Sequence, residues 1–221
     1  VACNKNDKNK PVHKVAMLAV GNTFDDLSFL ESCKNGMEDA KQDFKLEVEY
    51  NIDVNTDNLQ ERINSYGEQN YDLIIAIGYM WNDAVVNAAK MYSSSKFIIV
   101  DTELTEPQNN VVSILFDVDE VAYPIGFLAA WWADTHDSNP RLGVVAALNI
   151  PQIRQFVEPF NRGAYRYNSQ YGKHVDTLTC YAGDFFNIEL GKHIADSLIN
   201  LGADLIFGVG SETGNGSLLK A

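Results

Sequence analysis

Several apolar runs in this chain are followed at once by acids, amides and aromatics. Asp25 and Asp26 follow the first run, with Phe29 close behind. Tyr79, Trp81, Asn82 and Asp83 follow the third, and Asp101 the fourth. Further along, Asn149 and Gln152 end one run, Asp184 to Asn187 the next, and Ser211, Glu212 and Thr213 the last. Carboxylates accept N–H and O–H bonds, and facing aromatics can sandwich a planar ring. That chemistry holds a small molecule. Catalytic patterns are missing: no H-x-x-x-H pair, no G-x-S-x-G elbow (Val209 stands two before Ser211), and no phosphate-cradling G-x-x-x-x-G-K-[ST]. "GVGSETG" misses G-x-G-x-x-G by one residue.

Each residue also has a plainer reading. Ser28 and Glu31 fit a capping box at a helix start, where the acids beside them suit the helix dipole. Tyr79 and Trp81 would pack into a core at a helix start. Asp83 and Asn187 read as N-caps, and Asp101 as a turn or cap. A carboxylate at the carboxyl end of a buried parallel strand nevertheless lies where ligands bind in open α/β sheets.

The elements that must position these groups alternate regularly. "KVAMLAV" (14–20) reads as a strand, and Phe29, Cys33, Met37, Ala40 and Phe44 then recur at helical spacing. "LEVEY" (46–50) alternates like a strand, a helix follows over 57–69, and "DLIIAIG" (72–78) is an apolar run typical of a parallel sheet covered on both faces. After a helix over 82–92 come "KFIIVD" (96–101) and "NVVSILF" (110–116), then a helix over 118–134. Its segment "VAYPIGFLAAWWA", interrupted by Pro124 and Gly126, reads as buried. Beyond the polar "HDSNP" the pattern restarts: "RLGVVAAL" (141–148), a helix over 152–167, "VDTLTCY" (175–181), a helix over 188–201, "DLIFGVG" (204–210), and a glycine-rich turn opening a last helix. Two β-α-β series predict two α/β lobes, 14–136 and 137–221, with a hinge near 135–140. The second series, with three strands, reads as incomplete at its C-terminal side.

The chain has 221 residues, 46% of them hydrophobic, enough for a substantial core. Thirty acids against 17 Lys and Arg give a formal charge of −13, which disfavours a nucleic-acid partner. No apolar run reaches the ~18 residues of a membrane span. "VAC" followed by the polar "NKNDKNKPVHK" has the look of a lipoprotein processing site, with Cys3 as the lipidated residue and 1–13 as a flexible tether. Cys33 and Cys180 read as buried free thiols, without metal-like spacing. No cofactor or metal is expected.

"DDLSFLESCKNG", "FIIVD", "NVVSILFDVDEVAYPIGFLAA", "RLGVVAALNIPQIRQFVEPFNRGAYRY" and "GADLIFGVGSETGNG" resemble the basic membrane protein (Med) family of ABC-transporter solute-binding lipoproteins, which includes purine nucleoside receptors. The resemblance runs from residue 14 onward. It implies a type I periplasmic-binding-protein fold, with ligand in a cleft between two lobes, and a lipid anchor in the cell envelope. It carries Phe29 over as a stacking aromatic from the D-x-S-F motif, Phe185 as its partner, Asp101 as the acid that binds sugar or base, and Trp81 as a pocket-lining aromatic. Asp26 and Ser211 join them as candidate ligand groups. This sequence departs from the family where Val20 replaces an acid nine positions before Phe29, where Leu27 and Leu30 replace Lys and Asn, and where Ser211–Gly214 replace G-G-T-G.

The expectation is a non-enzymatic, lipid-anchored binding component of a bacterial ABC importer. It would take a nucleoside-like ligand and work with a membrane permease. A ligand-sensing surface receptor and an α/β enzyme acting on nucleosides are the alternatives.

Overall fold

The computed structural model describes residues 12–221, so the tether and Cys3 lie outside the described residues. The chain forms two compact units: one of residues up to Phe24 plus Leu30–Leu115, the other of Asp25–Phe29 plus Phe116–Ala221.

In the first unit, β1 (Lys14–Val20), β2 (Glu47–Asp53), β3 (Leu73–Ile77), β4 (Lys96–Val100) and β5 (Val111–Ile114) make a parallel sheet of order β2-β1-β3-β4-β5. Register runs from Lys14↔Glu47 to Val20↔Asp53 and from Val15↔Leu73 to Leu18↔Ala76. Central β1 and β3 are almost wholly buried, matching their continuous apolar runs. Edge strand β2 alternates instead. Its Tyr50 hydroxyl bonds Glu38 of α1 (Phe29–Phe44), while Glu49 and Asn51, on the opposite face, bond Tyr66 and Arg62 of α2 (Leu59–Glu68). A 3-10 turn (Tyr79–Trp81) leads into α3 (Asn82–Met91).

In the second unit, β6 (Arg141–Ala146), β7 (Asp176–Tyr181) and β8 (Leu205–Val209) form a parallel sheet of order β7-β6-β8. Leu142, Val144 and Ala146 face one core layer with α4 (Asp119–His136) and α5 (Pro151–Tyr171). Val145 faces the other, with α6 (Ile188–Asn200). The last helix is α7 (Ser211–Leu218).

Three sequence expectations are corrected. The units divide between Leu115 and Phe116 rather than at 135–140, because α4 packs along α5 and belongs with the second unit. Nor is α4 a buried helix: Ala122, Gly126, Ala129, Ala130 and Ala133 are buried, while Ile125, Leu128, Trp131 and Trp132 are exposed. The small face is buried because the two helices touch backbone to backbone. A Cβ on Gly126 would lie 1.9 Å from the Phe160 carbonyl oxygen, and one on Gly163 2.0 Å from that of Tyr123. Third, Cys33 and Cys180 are half-buried rather than buried.

Candidate functional site

In an open parallel sheet, ligands sit beyond the carboxyl ends of the strands, where the strand order reverses. In the first unit that place is the ends of β1 and β3. There the backbone turns sharply: Gly78 takes φ 95°, and one strand further on Asp101 takes φ 63°. Glycine tolerates such angles; aspartate adopts them at a cost of order 1 kcal/mol or more. The Asp101 N–H is tied to the Ile114 carbonyl at 2.8 Å, which holds the half-buried residue in that conformation.

Trp81 also belongs to this end of the sheet, but it is 0% exposed. The Arg62 guanidinium lies over its ring, 4.9 Å from the centroid. Arg62 in turn donates to the Ala19 carbonyl at 2.8 Å and to Asn51 Oδ1 from both Nε (2.8 Å) and Nη2 (2.6 Å). Asn82 and Asp83 begin α3, yet Asp83 is not its N-cap. Asn82 instead bridges to the Glu103 carbonyl and to Thr105.

The second unit reverses its strand order between β6 and β8. Beyond β8, Gly210 (φ 102°) and Ser211 (φ 47°) open α7. A Cβ on Gly210 would sit 2.5 Å from the Ala147 side chain, so only glycine passes there. The Ser211 hydroxyl donates to Asp26 Oδ2 at 3.2 Å, while Asp26 Oδ1 accepts the Ser28 N–H at 3.0 Å. Asn215 bonds the Asp26 carbonyl as well. Asp26, 5% exposed, thus has both carboxylate oxygens engaged within its own unit. The structure therefore brings together two of the candidate residues, Asp26 and Ser211.

Phe29 and Phe185 are half-buried, and Phe185 packs on the core of its unit beside Phe186. Its carbonyl accepts the Thr213 N–H, and the Thr213 hydroxyl takes the Asn187 N–H, so the segment carrying Phe185 is fastened to α7. Asn187 is the N-cap of α6, accepting the Leu190 N–H at 2.9 Å. Among the described residues no cluster of His, Cys, Asp or Glu could hold a metal ion, and no helix is long and apolar enough to cross a membrane.

Arg62 is the residue that the sequence did not disclose. It stands among polar neighbours in an amphipathic helix; only its place between Leu59 and Ile63 hinted at burial.

Parallel sheets with strand-end side chains of this kind are shared by many proteins, and comparison narrows them to one. Residues 12–221 match the family model described as ABC transporter substrate-binding protein, PnrA-like. The chain belongs to that family. An uncharacterised lipoprotein of Pyrococcus furiosus is 30% identical over 201 residues, which are 90% of this chain and 50% of that protein. The ABC transporter nucleoside-binding protein BmpA of Lactococcus lactis is 27% identical over 224 residues, 100% of this chain and 61% of that relative. A solute-binding protein of an ABC transporter system from Aeropyrum pernix superposes with a TM-score of 0.88 at 26% identity, covering 95% of this chain and 58% of that one. The chain thus spans about half to three fifths of the length of these relatives. The α/β type I periplasmic-binding-protein class that the resemblance implied is the family's fold.

Proposed function

We propose that this protein is the solute-capturing component of an ABC importer and takes a nucleoside or a similar ring-plus-sugar ligand, handing it to a membrane permease. The observation that carries the reading is the left-handed backbone of Asp101. A strained acid held at the end of a buried parallel strand marks a functional position more than a packing one. Half-buried Phe29 and Phe185 supply flat apolar surfaces for a base, and Asp101 an acceptor for its N–H groups or for ribose hydroxyls. Asp26 and Ser211 brace the segment that carries Phe29. The nucleoside assignment is supported by the L. lactis relative, which is named as a nucleoside-binding protein.

Anchoring in the cell envelope through a lipidated Cys3, on the periplasmic or extracellular face of the membrane, is part of the same proposal, supported by relatives named as lipoproteins. Mass spectrometry of the small molecule released from protein purified without added ligand tests the reading. A nucleoside or nucleobase is expected; a peptide or a free sugar in its place would overturn it.

A further inference from the structure

Arg62 is nine-tenths buried, and burial pulls its pKa below the ordinary guanidinium value. Its Nη1 is buried with no hydrogen-bond partner, and so is the indole Nε1 of Trp81 beneath it. Burying a charge and leaving donors unpaired costs stability, and such arrangements are often no more stable than an apolar replacement. The placement therefore calls for a reason other than holding the fold together.

What Arg62 touches supplies one. Ala19 is the penultimate residue of β1, Asn51 lies opposite Leu18 near the end of β2, and Trp81 closes the turn after β3. One planar cation thus joins three neighbouring strand ends at the point where the sheet's order reverses. The cation is also held from behind. Asn51 Nδ2 donates to the Tyr66 hydroxyl at 3.2 Å, which donates to Glu49 Oε1 at 2.9 Å, and Tyr71 donates to Glu49 Oε2 at 2.6 Å. Every donor in this chain points from Arg62 toward the carboxylate, so the bonds polarise one another in one sense. Burial raises the pKa of Tyr66, and the Glu49 hydrogen bond raises that of Tyr71 to about 12, so both phenols remain donors.

We propose that Arg62 is a positioning residue for the ligand-binding end of the first sheet: it fixes Trp81 and the ends of β1 and β2 and acts on the ligand only through them. This rests on the binding function proposed above. A lysine at 62 keeps the charge and reaches Ala19, but it can neither lie flat on an indole nor give a two-pronged bond to Asn51.

The test uses Trp131→Phe/Trp132→Phe protein, in which Trp81 is the remaining indole, with Arg62→Lys and, separately, Asn51→Ala. Asn51 is used because it holds Arg62 without stacking on Trp81, and because a second variant covers the case in which one fails to fold. Acrylamide quenching, melting temperature and calorimetric affinity for adenosine, guanosine and inosine are measured. Expected are a several-fold rise in Trp81 quenching and a roughly tenfold loss of nucleoside affinity, with melting temperature changed by only a few degrees. If Trp81 stays unquenched in both variants, or affinity falls only in step with melting temperature, the proposal is overturned. Should the parent bind no nucleoside, the function proposed above fails, and the quenching result alone decides the role of Arg62.

Discussion

Ser211 donates its hydroxyl to the carboxylate of Asp26 at 3.2 Å across 185 residues of sequence, within one compact unit. The chain on either side of Asp25–Phe29 belongs to the other unit. The short segment leading to Phe29 therefore owes its place to the turn that opens α7. Ser211→Ala removes one donor to a buried carboxylate and should cost about 1–2 kcal/mol of unfolding free energy. Asp26→Ala removes the acceptors for both Ser28 and Ser211 and should cost more. Urea unfolding checks both; an unchanged midpoint for Asp26→Ala would show that the tie contributes nothing.

Asp101 separates stability from binding. Asp101→Gly keeps the left-handed backbone and removes its strain, so melting temperature should rise or hold. Asp101→Ala keeps the strain and loses the acid. Both should weaken ligand binding by about tenfold or more, the worth of one buried hydrogen bond. Differential scanning calorimetry together with a binding titration distinguishes them. A glycine variant that binds normally would make Asp101 merely a turn residue.

The α4–α5 contact should fail as a unit. A Cβ at Gly126 or Gly163 would meet a backbone carbonyl, which cannot swing aside. Either alanine variant should lose about 2 kcal/mol or more by overpacking. The double variant should lose less than the sum, because both open the same interface. Denaturant midpoints for the three proteins provide the check.

Much of this architecture was legible in the sequence. "DLIIAIG" is uninterrupted because β3 is buried on both faces, and Asn187 announced α6 as a true N-cap. Where the reading failed, contact with a neighbour outweighed local pattern. The α4 segment looked buried by its large apolar residues, yet its glycine and alanines face α5, because backbone approach there excludes bulk. Asp83 fits an N-cap by type, but the preceding 3-10 turn runs straight into α3 and leaves no uncapped start. Trp81 was legible as either core or pocket. Its burial under Arg62 was not, since a single arginine in an amphipathic helix ordinarily reads as solvent-facing.

A pH response follows from Asp134, which accepts the Tyr167 hydroxyl at 2.8 Å and pairs with Lys173 at 2.9 Å. The Lys173 and Tyr167 hydrogen bonds hold its carboxyl below the usual value. Its stabilisation is then fully present above the unfolded carboxylate pKa of about 3.9 and is lost as pH falls through the folded value. Tyr167, pushed up to about 12 by burial and by its bond to Asp134, works in the opposite sense. Its contribution is full below about pH 10 and is lost as pH rises toward 12. Asp134→Asn should flatten both flanks of a melting-temperature profile measured from pH 3 to 11; a profile unchanged from the parent would contradict the pairing.

The central claim, capture of a nucleoside-like ligand by aromatic and acidic groups at strand ends, is tested most directly by calorimetric titration. The titrants are adenosine, guanosine, inosine, adenine and ribose, against the protein and its Phe185→Ala variant. A nucleoside should bind with 1:1 stoichiometry and more tightly than either of its parts, and Phe185→Ala should weaken it by about tenfold through lost stacking and apolar contact. Binding of ribose without any nucleoside, or nucleoside binding indifferent to Phe185, would contradict the account.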